Sequence, residues 1–128
     1  MGEPGPGRVM REPGPDHPIA LAPAEGRVVV RFAGAVIADS ARGLRMRETS
    51  LPPVFYVPRA DARMDLLSRS TTASHCPYKG EASYYDVSVG GRVAKDAVWS
   101  YEDPYPAMSA IGGHLAFYPD RVDAIELL

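Results

Sequence analysis

The sequence predicts a mainly β fold, with about eight or nine short antiparallel strands and at most one or two short helical turns. Thirteen prolines and twelve glycines among the 128 residues leave few long uninterrupted segments, so long helices are disfavoured. The segments between these breakers are rich in Val, Ile, Tyr and Phe, which favour the pleated surface of a sheet. The chain length fits one domain with a hydrophobic core of its own.

The N-terminal half predicts an extended arm followed by four strands. Residues 1–25 are rich in Pro and Gly and show no periodic apolar face, which is typical of an arm. The strands are expected at residues 27–32 (RVVVRF), 35–40 (AVIADS), about 44–47 (LRMR) and 54–57 (VFYV). Ala33 and Gly34 are expected to form the turn between the first two strands.

The C-terminal half contains the clearest hairpin of the chain. Gly90-Gly91, a dipeptide that tolerates positive φ at both positions, is flanked by β-rich runs at residues 82–89 and 92–101. Upstream, the segment PRADARMDLLSRS fits either one or two helical turns or a strand at residues 63–67, and both alternatives stay open. Downstream, we expect one helical turn at residues 107–111 and then two strands in the segments HLAFY and RVDAIEL.

Composition and charge argue against several classes of function. The net charge is −2, from 14 basic and 16 acidic residues without long runs, so the basic face of a nucleic-acid binder is missing. There is no apolar run of roughly 20 residues and no secretory signal, so we expect a cytoplasmic protein without membrane contact. The single cysteine excludes an internal disulfide and a cysteine-rich zinc site. The sequence leaves any cofactor unknown, and either a monomer or a homodimer is compatible with short strand edges.

Several motifs follow one another in a fixed order and suggest a family. They are the arm segment GPDHPI, the run ETSLPPVFYVPRADARMDLL, the stretch SHCPYKGEASYY, the hairpin end AVWSYEDPYP and the segment GGHLAFYPDRVDAIEL. With these motifs, residues 14–127 resemble the domain of unknown function 427 family of small single-domain proteins. The resemblance implies a β-tent-like fold, in which two antiparallel sheets lean together with a cleft between them. With the Pro/Gly-rich arm placed at residues 1–25, the resemblance implies one β-tent-like domain at residues 26–128. The paired CxxC zinc knuckles of other β-tent proteins are absent here, so we expect no metal site.

Polar and aromatic residues at the family's hallmark positions form a candidate ligand site. Gly80 and Tyr101 lie at equal sequence distances from the Gly90-Gly91 turn, so the HCPYKG and WSY segments are neighbours if no bulge intervenes. Aromatic side chains there would supply flat apolar walls with polar rims. The ligand-binding candidates are His75, Lys79, Tyr84, Trp99, Tyr101, His114, Glu48 and Arg59. A mutual salt bridge between Glu48 and Arg59, or packing of the aromatics in the core, would explain these residues without a ligand.

Cys76 is a candidate nucleophile, because a thiolate near a cation such as Lys79 is reactive. His114 is the better candidate for its base, since His75 and Cys76 would point to opposite faces of a strand. The alternative is that Cys76 is a small buried hydrophobic residue. A metal site formed by the two histidines and a carboxylate is disfavoured, because the expected ligand spacing is absent.

Three hypotheses of function follow. In the first, the domain binds a small polar or anionic molecule in a cleft lined by the HCPYKG, WSY and GHLAFY segments. In the second, it is an enzyme that uses Cys76 for group transfer on a small substrate. In the third, it is a structural or partner-binding domain whose HCPYKG motif fixes a corner of the fold.

Overall fold

The computed structural model describes residues 9–128, and these residues form a mainly β fold, as predicted. Residues 1–8 of the predicted arm lie outside the described residues. The ten strands are β1 (Ile19–Pro23), β2 (Val28–Phe32), β3 (Ala35–Ser40), β4 (Leu44–Glu48), β5 (Val54–Tyr56), β6 (Leu67–Cys76), β7 (Gly80–Val89), β8 (Arg92–Ser100), β9 (Ala116–Phe117) and β10 (Ala124–Leu127). Short 3-10 turns occur at Arg59–Asp61, Met64–Leu66 and Pro106–Ile111, one more than the prediction allowed.

The strands form three antiparallel sheets where the prediction had two. The first sheet has the order β1-β4-β5, the second β10-β2-β3 and the third β6-β7-β8-β9. Strand β1 lies inside the segment that was predicted to be an arm, and it pairs along its whole length with β4. This pairing gives β4 and β5 a sheet of their own. Mutual backbone hydrogen bonds between Val57 and Leu115 then join the end of β5 to the segment that leads into β9.

Strand β6 was not predicted, because its sequence LSRSTTASHC lacks an apolar face. It lies at the edge of the third sheet with β7 as its partner, and most of its side chains are exposed. A polar edge strand needs no alternation of apolar residues, so its pattern resembles that of a loop. Of the two alternatives upstream of β6, the helical turns are found, as two 3-10 turns, and the strand begins only at Leu67.

The third sheet contributes to two hydrophobic clusters. Near the Gly90-Gly91 turn, its residues Val87 and Val98 pack with the second sheet in the larger cluster. At the opposite end, Ala82 and Tyr101 pack with the first sheet in the smaller cluster, which also contains Met46, Tyr56, Met108, Ile111 and Ala116. The candidate site lies at this second end.

The Gly90-Gly91 hairpin is confirmed, but a bulge changes its register. Val89 pairs with Arg92 beside the turn, whereas further along Tyr84 pairs with Trp99. Between the pairs Tyr85–Val98 and Val87–Ala94, one residue of β7 stands opposite three residues of β8, and Asp96 takes a positive φ of 49° there. Gly80 was expected to face Tyr101 if no bulge intervened. Because the bulge shifts the register, the two residues do not face each other. Instead, the backbone N–H of Tyr105 donates to the carbonyl oxygen of Lys79 at 3.0 Å.

Candidate functional site

The HCPYKG motif forms a tight hairpin turn that points a lysine inward. Cys76 at the end of β6 pairs with Gly80 at the start of β7, and Pro77, Tyr78 and Lys79 connect them. Gly80 has φ of +110°, a conformation that L-residues rarely adopt, so glycine is required at this corner. Only 9% of the Lys79 side chain is exposed. The turn therefore buries an ammonium group, which needs a partner.

That partner is Glu48 at the end of β4. Lys79 Nζ donates to Glu48 Oε1 at 2.5 Å, and His17 Nε2 donates to Glu48 Oε2 at 2.7 Å. Burial acts to raise the pKa of the Glu48 carboxyl, but the hydrogen bonds from Lys79 and His17 outweigh it and leave the pKa below its usual value. Glu48, Lys79 and His17 are called the Glu48 cluster below.

The segment before β1 closes over this cluster. The imidazole of His17 stacks on the ring of Tyr78, with 4.0 Å between ring centroids and an interplanar angle of 3°. The backbone N–H of Arg11 donates to the carbonyl oxygen of Pro77 at 2.8 Å, and that of Thr49 donates to Pro18 at 2.9 Å. The HCPYKG turn is thus held between the first sheet and the segment that precedes it.

The Glu48–Lys79 pair forms one end of a cavity of about 210 Å³, called the polar cavity here. Its lining residues come from the first sheet, the β4–β5 loop, the HCPYKG turn and the third sheet. They are Met46, Glu48, Leu51, Pro52, Val54, Tyr56, Lys79, Tyr84, Trp99, Tyr101 and Tyr118. Five of the eight predicted ligand-binding residues are among them, namely Glu48, Lys79, Tyr84, Trp99 and Tyr101.

Four tyrosines give the polar cavity hydroxyl groups among apolar side chains, and two of these hydroxyls are hydrogen-bonded to other side chains. The Tyr56 hydroxyl accepts a hydrogen bond from Trp99 Nε1 at 3.3 Å. The Tyr84 hydroxyl is hydrogen-bonded to Ser74 Oγ at 2.8 Å. The Tyr118 ring stacks on Tyr84 and lies 4.4 Å from the Trp99 ring, centroid to centroid.

The hydroxyls of Tyr118 and Tyr101 form no hydrogen bond with any residue between 9 and 128, and of these two residues only Tyr101 is buried. The residue is only 8% exposed. Within the same range, no fully buried side-chain nitrogen or oxygen lacks a partner. The Tyr101 hydroxyl is therefore the part of this side chain that reaches the open space of the polar cavity.

Burial keeps these phenols protonated. It raises the pKa of Tyr56 and of Tyr101 well above the ordinary tyrosine value. Burial and the neighbouring Tyr84 hydroxyl raise the pKa of Tyr118 to about 12. At neutral pH the cavity wall therefore offers O–H donors rather than phenolate charges.

A second, apolar cavity of about 420 Å³ adjoins the first and is called the apolar pocket here. Its lining residues all have apolar side chains and are Val28, Val30, Leu51, Pro52, Pro53, Val54, Phe55, Trp99, Phe117, Pro119 and Ile125. Leu51, Pro52, Val54 and Trp99 line both cavities.

The predicted catalytic residues are only partly brought together. Lys79 Nζ lies 3.8 Å from the Sγ of Cys76, which is half-buried beside the smaller hydrophobic cluster. His75 is hydrogen-bonded to the Tyr105 hydroxyl at 2.7 Å, and His114 Nδ1 donates to the carbonyl oxygen of Gly112 at 3.1 Å. Within residues 9–128, the hydrogen bonds of the thiol thus involve Lys79 and neither histidine.

Arg59, another predicted ligand-binding residue, is bonded to a different carboxylate. Its Nη2 donates to Glu102 at 2.8 Å and to Ser100 Oγ at 3.2 Å, so the salt bridge considered between Glu48 and Arg59 does not form. Glu102 also accepts hydrogen bonds from the hydroxyls of Tyr85 and Ser83. It forms a salt bridge with Arg69 at 3.3 Å. Glu102 with Arg59 and Arg69 is called the Glu102 cluster below, and none of the three lines the polar cavity.

Sequence reasoning missed His17 and Tyr56, whereas Tyr118 was considered among the aromatic residues that could line a cleft. The alternation of strand β5 places Val54 and Tyr56 on one face, and this signal was sufficient to find Tyr56 beside the predicted cleft. His17 had no such signal, because it reaches Glu48 across 31 positions of sequence. In the described part of the chain, no three His, Cys, Asp or Glu residues are placed to hold a metal ion. That part also lacks a helix long and apolar enough to cross a membrane.

Comparison with known protein families gives one match. A family model described as Domain of unknown function (DUF427) matches residues 20–127, which is most of the chain. No curated protein matches the chain. The matched residues include all ten strands apart from the first residue of β1. They also include every residue that lines either cavity.

Proposed function

Since the chain belongs to the family of domain of unknown function DUF427, whose description states no activity, we propose from its own geometry that it binds a small polar molecule in the polar cavity. The site is concave and combines apolar side chains with a few polar groups that converge on one space. This is the usual composition of a small-molecule site.

The observation that supports this proposal most directly is the free hydroxyl of Tyr101. A tyrosine hydroxyl that has no protein partner is available to donate to a ligand. The residue lines a cavity in which Glu48 and Lys79 supply an acceptor and a donor. A ligand oxygen or nitrogen that accepts from Tyr101 gives this hydroxyl the partner that the protein does not supply.

The charges of the cavity favour an uncharged polar group over a free anion. Lys79 is the one cation of the lining, and its charge is already compensated by Glu48 at 2.5 Å. An anion would lie near the Glu48 carboxylate and would have to displace it from Lys79. Tyrosine O–H groups suit the oxygen of an amide, an alcohol or a ketone.

Trp99, the only tryptophan of the chain, lines the cavity and provides the assay. We expect acetamide or phenol to change the tryptophan emission with saturation, and acetate or benzoate to do so more weakly. In Tyr101→Phe the affinity for the uncharged probe should fall about five- to tenfold, as expected for one lost hydrogen bond. Its stability in urea should stay unchanged, because the hydroxyl has no protein partner.

Tyr78→Phe is the matched control, since Tyr78 lies in the HCPYKG turn outside the cavity lining. It should bind the uncharged probe as the wild type does. If none of the probes changes the emission with saturation, or if Tyr101→Phe binds them as tightly as the wild type, the proposal is wrong.

One contact supports a second candidate function, group transfer by Cys76. The ammonium group of Lys79 lies 3.8 Å from the thiol. This support is weaker, because Lys79 is held by Glu48, no histidine is bonded to the thiol among residues 9–128, and Cys76 does not line either cavity. If the binding proposal is correct, Cys76→Ser leaves the affinity for acetamide or phenol unchanged.

A further inference from the structure

The two adjoining cavities define the class of ligand more closely. We infer that the ligand is amphipathic, with an uncharged polar head in the polar cavity and an alkyl or aryl body in the apolar pocket. This inference rests on the proposed function, because it takes the polar cavity as the site of the head group. It adds a second subsite, formed by side chains of all three sheets together with the β4–β5 loop.

The two cavities share a wall, and Trp99 is the side chain at their boundary. The indole N–H points to the polar side, where it donates to the Tyr56 hydroxyl at 3.3 Å. Phe117 and Val54 accompany the indole in the wall of the apolar pocket. An indole with its polar edge at one cavity and its apolar surface at the other suits a ligand that changes in polarity along its length.

The side chains of the apolar pocket offer no free polar group that would hold a polar molecule or ordered water. All eleven lining side chains are apolar, apart from the indole N–H of Trp99, which is already bonded to Tyr56. A site without polar partners binds water poorly and binds hydrocarbon well. Its volume of about 420 Å³ lies within the range of small-molecule sites.

The β4–β5 loop gives a third reason, because it exposes a large apolar side chain at the mouth of both cavities. Leu51 is 57% exposed and lines the polar cavity and the apolar pocket alike. Pro52 and Pro53 follow it and stiffen the loop. A hydrocarbon body that lies along this loop removes Leu51 from water, and this burial contributes to affinity.

The test uses linear 1-alkanols from butanol to decanol, read by the emission of Trp99. Each methylene buried in the apolar pocket should tighten binding about fourfold, until the pocket is filled and the affinity levels off. Pro53→Glu places a carboxylate at the apolar pocket, since Pro53 is exposed and does not line the polar cavity. In this variant the affinity for octanol should fall tenfold or more, while acetamide binds as it does to the wild type.

Val93→Glu is the matched control, because Val93 is 52% exposed and lies outside both cavities. It should bind octanol as the wild type does. If acetamide binds but the affinity of the alkanols does not depend on chain length, the amphipathic ligand is wrong while the proposed function stands. If neither acetamide nor any alkanol binds, the proposed function fails and the inference fails with it.

Discussion

Two carboxylates of this domain have similar partners but lie in different surroundings. Glu48 is paired with Lys79 and His17, and Glu102 with Arg59 and Arg69. The Glu48 carboxylate and the Lys79 ammonium are nearly buried, with 17% and 9% of their side chains exposed. Glu102 is 36% exposed and Arg69 58%.

This difference in exposure separates a buried pair beside a cavity from a surface cross-link. Glu48 and Lys79 line the polar cavity, where charges without a partner are costly. The Glu102 cluster ties β6, β7 and the segment after β8 together, and both of its arginines lie over the Tyr85 ring. Water screens these exposed charges, so their contribution to stability is small. The composition of a charge cluster is thus a poor guide to its function, and its burial is a better one.

The largest difference between the two clusters should appear when each carboxylate is removed. Glu48→Ala leaves the buried Lys79 ammonium without its counter-ion, and we expect a loss of about 3–5 kcal/mol in the free energy of unfolding. Glu102→Ala should cost about 1 kcal/mol or less, because water replaces the carboxylate. Urea unfolding of the two variants measures both values. Equal losses would contradict the distinction between the clusters.

The second comparison is the response to acid. The pKa of Glu48 is lowered in the folded protein, so its contribution to stability is complete above the unfolded value near 4.5 and is lost as the pH falls through the folded value. The pKa of Glu102 is also lowered, but its exposure to water weakens the effect of this shift on stability. We therefore expect Glu48→Gln to lose less stability between about pH 5 and pH 3 than the wild type does.

Glu102→Gln is the control for this experiment and should follow the wild-type pH profile more closely. Urea midpoints across the same pH range give the comparison. If Glu48→Gln and the wild type lose stability in parallel, the carboxylate of Glu48 does not contribute to acid sensitivity.

The smallest effects should come from the arginines of the exposed cluster. Arg69→Ala should change the free energy of unfolding by less than about 1 kcal/mol, and this difference should vanish at about 1 M salt, where exposed charges are screened. The large loss in Glu48→Ala should persist under the same conditions. A loss in Arg69→Ala that is unaffected by salt would show that this arginine contributes packing rather than charge.

The sequence predicted the parts of the fold that depend on local patterns. The valine-rich strand β2, the turn at Ala33-Gly34 and the Gly90-Gly91 hairpin follow from β-propensity and from turn chemistry, which neighbouring residues determine. Strands β1 and β6 were missed, because their pairing partners, rather than their own composition, make them strands. The bulge at Asp96 was not visible either, since its N–H donates to the Asp86 carboxylate only in the folded hairpin.

The candidate site was predicted in the same uneven way. The HCPYKG turn and the end of strand β8 were expected to be neighbours, and Lys79, Trp99 and Tyr101 do line one cavity. His75, His114 and Arg59 were chosen by residue type, and their hydrogen bonds connect them to Tyr105, Gly112 and Glu102 instead. Hydrogen-bond partners that are distant in sequence decide which polar residue is free to meet a ligand, and spacing alone does not reveal them.

The stacking of His17 on Tyr78 bears on where this domain should be cut for laboratory work. The family match begins at residue 20, three positions after this histidine. A protein shortened to that boundary would keep nearly all of β1 but would lose the imidazole that covers one oxygen of Glu48. It would also lose the backbone hydrogen bond from Arg11 to Pro77. The smallest unit that preserves the cavity therefore begins upstream of the first strand, at a point that no family boundary indicates.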